Sequence, residues 1–306
     1  MNIMQRRNFI KNTILAAGAL SLPLTGNRTF AGNKTFHPAA NNFKKSIMWG
    51  SVGIRDASVL DKCKAIKEAG YQGIEPNSHM NRKEVLDATK ATGLAITDVC
   101  CNTHWNKPLS SPDAAVRQEG IEGMIVALED AHAYGTDAVL LVPGVVSNTV
   151  TYEECWNRSV EGIKKLLPVA ERLKVAICVE NVWNNFLMSP MEALYYVNQF
   201  NSPYVKFYFD CGNIMVYGWP EQWIKILGDR IGRIHIKEFS KQKADKEGRG
   251  AGFNVPLTEG DVNWSKVMEV LRNHYNNVWL TTEQGNSRTV EELKDLSGWF
   301  DKILNM

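Results

Sequence analysis

The chain has 306 residues, of which 44% are hydrophobic and 22% charged, and its formal net charge is +2. That balance excludes a disordered chain and leaves room for one large α/β barrel or two ordinary domains. Near-neutrality offers no whole-chain attraction to nucleic acid or to an anionic membrane, so the expected partner is a small molecule.

Near the start of the chain stands QRRNFIK (Gln5–Lys11), followed by the apolar stretch TILAAGALSLPL (Thr13–Leu24). Paired arginines before a short hydrophobic segment resemble a twin-arginine export signal, with TFA ending at Ala31 as the small-residue cleavage site. The apolar stretch is shorter than the ~20 residues a membrane span needs. Residues 1–31 are therefore set apart as a signal peptide, 32–45 as a linker, and 46–306 as the folded domain. The expected location is periplasmic, with no membrane attachment after cleavage. Export of already folded proteins by this route is consistent with a metal loaded beforehand. Cys63, Cys100, Cys101, Cys155, Cys178 and Cys211 fall in strand-like or helix-like runs with no CxxC pair, and read as core thiols.

From Ser46 onward, short apolar runs alternate with longer amphipathic ones. Ser46–Val52, Gly73–Asn77, Leu94–Cys101 and Ala138–Gly144 are strand candidates, as are Val175–Asn181, Val205–Asn213, Ile231–Phe239 and Val278–Gly285. Each is rich in Val, Ile, Leu and aromatics without clean alternation, as expected of parallel strands covered on both faces. Helical periodicity occupies Ala57–Ala69, Asp113–Tyr134, Glu153–Leu173 and Trp264–Tyr275, among others. Eight strand and helix units predict a (β/α)₈ TIM barrel. No G-x-G-x-x-G follows the first strand, which argues against a doubly wound sheet. The long charged connection Ser240–Asp261 follows the seventh strand, on the face where such a barrel carries its active site.

Polar residues stand at the C-terminal ends of the runs: Glu75, Glu180, Asp210, His235 and Glu283. In a barrel these positions converge on one mouth. The three carboxylates of Glu180, Asp210 and Glu283 would repel one another there, and a divalent cation removes the conflict. Glu180, Asp210, His235 and Glu283 together offer oxygen and nitrogen donors without thiolate. That set suits Mn²⁺ first, then Mg²⁺, with Co²⁺ and Zn²⁺ also compatible.

The motifs CVEN, FDCGN, IHIKEF, EGDVNW and TTEQG resemble the xylose isomerase-like TIM-barrel superfamily of sugar and sugar-phosphate isomerases and epimerases. The resemblance covers the chain after residue 45. It implies that Glu180, Asp210, His235 and Glu283 are metal ligands and that Glu180 and Glu283 form the acid/base pair. The implied activity is isomerisation or epimerisation of a ketose or keto-sugar by proton transfer through an enediolate. Glu75, His104, Trp105, Asn213 and Lys237 are the expected substrate contacts. Ketose 3-epimerases of the D-tagatose type carry a histidine, an arginine and a glutamate where this chain has Asn213, Lys241 and Phe186, which leaves the substrate open.

Other readings compete. Endonuclease IV shares the superfamily but needs clustered histidines and a basic groove, which six histidines and a charge of +2 do not supply. An exported sugar-binding barrel without turnover is disfavoured by retention of both Glu180 and Glu283. A lyase acting on 3-keto-glycosides would use the same acidified C–H. Nothing fixes an oligomeric state, and a homo-oligomer is open.

Overall fold

A computed structural model describes residues 43–306. The expected signal peptide and most of the linker lie outside these residues. The strands are β1 (Lys44–Met48), β2 (Gly73–Glu75), β3 (Ala95–Ile96), β4 (Val99–Cys100), β5 (Ala138–Leu141), β6 (Ala176–Glu180), β7 (Val205–Asp210), β8 (Ile231–Ile236) and β9 (Trp279–Thr282). All pair in parallel in the order β3-β2-β1-β9-β8-β7-β6-β5-β4. β3 and β4 are successive pieces of one stave, broken at Thr97 and Asp98, so the nine strands of the described residues make the eight staves of a (β/α)₈ barrel.

The main helices are α1 (Val59–Glu68), α2 (Arg82–Thr92), α3 (Ala114–Tyr134), α4 (Tyr152–Leu173), α5 (Pro190–Asn198), α6 (Cys211–Met215), α7 (Pro220–Leu227), α8 (Lys241–Glu247), α9 (Trp264–His274) and α10 (Val290–Leu304). Except at α7, their starts are set by side-chain caps that satisfy free N–H groups: Ser58, Asn81 and Asp113 cap α1, α2 and α3, and Thr151 with Glu154 forms a capping box on α4. None of the described helices is long and apolar enough to cross a membrane.

Alternation along each strand decides what reaches the interior. In β7, Val205, Phe207 and Phe209 join the layer beneath the helices, while Tyr208 faces the barrel lumen with Cys100, Leu140 and Cys178. Asp210 follows Tyr208 on the same face, and β8 aligns its own inward residues beside them, with Tyr208 opposite Arg233 and Asp210 opposite His235. All six cysteines are free and buried, as expected of core thiols.

The connection after β8 is ordered rather than open loop, with α8 and a 3₁₀ segment at Arg249–Phe253. Glu238, fully buried at its base, accepts from the backbone N–H groups of Phe239, Thr258 and Val262 and from the Trp264 indole at 2.7–3.1 Å. Gln284 braces the same strap, donating to the carbonyls of Phe253 and Val255. Gly260 is required here, because a Cβ would lie 2.4 Å from the Glu238 carboxylate.

Candidate active site

Glu180, Asp210, His235 and Glu283 come together at the C-terminal mouth of the barrel, each offering one donor atom within 4.8 Å of the others. β6, β7 and β8 deliver the first three from adjacent staves, and Glu283 follows β9, held by its backbone N–H to the Ile236 carbonyl. His235 Nδ1 faces Glu283 Oε2 at 3.0 Å, Asp210 Oδ2 at 3.7 Å and Glu180 Oε1 at 3.8 Å. His235 Nδ1 and Asp210 Oδ2 are buried and have no hydrogen-bond partner among the described residues. Two orphaned donors among three carboxylates fit a divalent cation bound by oxygen and nitrogen.

The electrostatics show the same conflict. Burial pushes Glu180 up to about 7, and burial likewise raises Asp210 against the opposing pull of Lys237. Burial also acts against the Glu283 charge, but Lys237 and His235 outweigh it and hold that carboxyl well below the usual range. Burial disfavours charge on His235 and Lys237 too, yet their carboxylate neighbours keep both cations above their ordinary values. Lys237 Nζ sits 2.9 Å from Glu283 Oε1 and 3.8 Å from Asp210 Oδ2.

Above this floor opens a cavity of about 590 Å³ whose wall includes Glu180, Glu283, Lys237, His104, Trp105, Trp183 and Phe253. His104 is buried, and its Nδ1 accepts from the Val142 N–H at 3.3 Å, which assigns the ring proton to Nε2. Burial pulls its pKa down to about 4, so the ring is a neutral donor. Trp105 packs edge-on against it, with ring centroids 5.6 Å apart.

Two expected substrate contacts are placed elsewhere. Glu75 is fully buried and outside the cavity wall, because its stave continues beyond it to a bridge between Asn77 and Cys100 and leaves Glu75 below the mouth. There its Oε2 lies 2.7 Å from His235 Nε2. Asn213 is also fully buried outside the wall: α6 starts immediately after Asp210, so its backbone N–H bonds Asp210 Oδ1 at 2.7 Å and its amide donates to Glu180 Oε1 at 3.0 Å. Both therefore touch the quartet. His104, Trp105 and Lys237 do line the cavity.

Sequence reasoning missed the layer beneath. Tyr208 donates to Asp98 Oδ2 at 2.6 Å, with Glu75 Oε2 3.3 Å from the same hydroxyl. Asp98 carried the signal that marked Asp210, a carboxylate inside an apolar run, and Glu238 carried it beside His235.

The chain belongs to the xylose isomerase-like TIM barrel family, whose pattern matches residues 63–303. Among curated proteins it is similar to the L-ribulose-5-phosphate 3-epimerase UlaE of Escherichia coli O1:K1, 29% identical over 198 residues, or 64% of this chain and 66% of that protein. The Salmonella paratyphi A protein of the same name is 26% identical over 225 residues, covering 71% and 76%. Among solved structures, the fold matches the 3-keto-D-glucoside 4-epimerase YcjR of E. coli with a TM-score of 0.72 at 17% identity, covering 85% of this chain and 100% of that one. It matches D-psicose 3-epimerase of Clostridium cellulolyticum H10 with a TM-score of 0.69 at 17% identity, covering 86% and 99%. The zinc-bound IOLI protein gives a TM-score of 0.71 at 16% identity, covering 86% and 98%.

Proposed function

We propose that the chain is a divalent-metal-dependent isomerase of the epimerase type, acting on a ketose or keto-sugar by moving a proton at the carbon beside the carbonyl. The observation that carries this reading is the buried quartet with its two orphaned donors, set at the floor of a 590 Å³ cavity. The epimerases among the relatives support it.

Glu180, Asp210, His235 and Glu283 would hold the ion, with Mn²⁺ the first choice for this donor set. When bound, the cation supplies Lewis-acid polarisation of the sugar carbonyl and acidifies the neighbouring C–H. Glu180 and Glu283 both line the cavity and stand three staves apart around the mouth. One carboxylate takes the proton and the other returns one. Return to the same carbon from the opposite side inverts it, and return to the adjacent carbon isomerises the sugar. Lys237 keeps a positive charge beside the oxygen that becomes negative, and His104 Nε2–H donates from the opposite wall.

Metal-loaded protein in D₂O with a panel of ketoses and 3-keto-sugars is expected to introduce deuterium beside the carbonyl. Chelation should stop the exchange, and Glu283→Gln should reduce it by roughly 10²-fold or more. A metal-loaded protein that exchanges no proton on any of these sugars refutes the reading.

The proposal includes export: residues 1–31 act as the twin-arginine signal and deliver the barrel to the periplasm. Replacing Arg6 and Arg7 with lysine should retain the chain in the cytoplasm on fractionation, and an unchanged distribution would count against export.

A further inference from the structure

The cavity is divided by depth. Its floor is ionic, with Glu180, Glu283 and Lys237, whereas its rim carries two large indoles that remain about half exposed, Trp105 at 49% and Trp183 at 52%. Both stand in the wall of one cavity, so their exposed surface is offered to whatever enters. At about 590 Å³ the space lies within the roughly 300–1,000 Å³ of ligand pockets and exceeds the needs of a lone pentose or hexose.

Its charge is equally selective. Among the described residues Lys237 is the one lysine in the wall, with no arginine beside it, and its ammonium is engaged by Glu283 at 2.9 Å and Asp210 at 3.8 Å. His104 is neutral, with Nδ1 bonded to the Val142 N–H. On the nearby strap, Lys241 lies over the Trp219 ring and Lys243 donates to the Asn254 carbonyl, while Lys246 and Arg249 are exposed and stand outside the wall. A phosphate ester recruits free arginine forks or lysines, and the described wall offers neither. A neutral saccharide ring needs neither; its C–H face packs on an indole while its hydroxyls stay wet at the rim.

We infer that the site takes an uncharged keto-sugar joined by a glycosidic bond to a second group, and that Trp183 and Trp105 form the outer subsite for that second group. This rests on the metal-dependent isomerase reading and narrows its substrate class away from the phosphorylated pentulose named for the UlaE relatives. The reacting ring occupies the floor, between Glu180 and Glu283. The non-reacting ring leans on the indoles, and its burial there raises affinity without touching the chemistry.

The test compares three substrates on Mn²⁺-loaded protein by deuterium exchange: free 3-keto-glucose, 3-keto-cellobiose oxidised on its non-reducing ring, and L-ribulose 5-phosphate. The keto-disaccharide is expected to have the highest kcat/KM, and Trp183→Ala to raise its KM by about tenfold more than that of the free keto-sugar. Trp105→Ala should act in the same direction, and Trp183→Phe should recover part of the loss. Preference for the phosphate ester, equal rates on free and linked keto-sugars, or equal losses on both in Trp183→Ala would overturn the inference. Calorimetric binding of 3-keto-cellobiose to wild type and Trp183→Ala tests the subsite without turnover. Binding that the substitution leaves unweakened, or no binding at all, overturns the subsite even if exchange is seen. Absence of exchange on every sugar alongside Trp183-dependent binding removes the enzymatic reading and leaves the subsite standing.

Discussion

Asp210 and Glu238 are both fully buried carboxylates at the mouth ends of neighbouring staves, yet their surroundings are opposite. Glu238 receives four N–H donors, one from its neighbour Phe239 and three from the far end of the strap and the start of α9, two on each oxygen. Asp210 receives one, from the Asn213 backbone, while its second oxygen has none and faces His235. A buried anion surrounded by N–H dipoles is complete within the protein, whereas one left half satisfied among other carboxylates costs free energy until a cation joins it. Residue type does not separate a strut from a ligand. The donor inventory does.

Exchanging the two carboxylates for neutral side chains should break the comparison most visibly. Asp210→Asn is expected to remove metal binding and lower proton exchange to background, while the chelated protein stays as stable as wild type or gains about 1 kcal/mol. Elemental analysis, exchange in D₂O and urea unfolding read the three effects. Glu238→Ala should do the reverse. Four donors lose a charged acceptor at once, so unfolding in urea should show a loss of roughly 3–5 kcal/mol, with protease cutting in the strap between 240 and 261. The metal should still bind. Equal destabilisation by the two substitutions would show that Asp210 is also a strut.

The fold was legible because each stave is covered on both faces and so spells a short apolar run. The break at Thr97 and Asp98 was hidden, since Asp98 answers to Tyr208, 110 residues away. The quartet was legible for a related reason: Glu180, Asp210, His235 and Glu283 each end a run whose length places them at one mouth. Depth was not legible. Glu75 ends its apolar run just as they do, but the chain stays paired with its neighbour through Asn77, so the side chain lies beneath the mouth. Glu238 sits inside a motif that was recognised, yet its role depends on donors contributed 20 to 26 residues later by the strap.

Glu75 supplies a smaller and sharper test, because it divides the ligand site from its support. Its Oε2 lies 2.7 Å from His235 Nε2, so a proton held there would leave Nδ1, which faces Asp210, Glu180 and Glu283, free to ligate a bound cation. Burial, with the Asp98 charge adding to it, pushes the Glu75 pKa up, and the His235 contact opposes that rise. A carboxylate behind a ligating imidazole fixes its tautomer and strengthens its donor nitrogen. Glu75→Gln keeps the shape and an acceptor but loses the charge. It should weaken metal binding by about 10–100-fold by calorimetry, with kcat on the fully loaded protein changing far less than the metal dissociation constant. An unchanged metal affinity would reduce Glu75 to core filling. Loss of metal binding as complete as in Asp210→Asn would instead place it among the ligands.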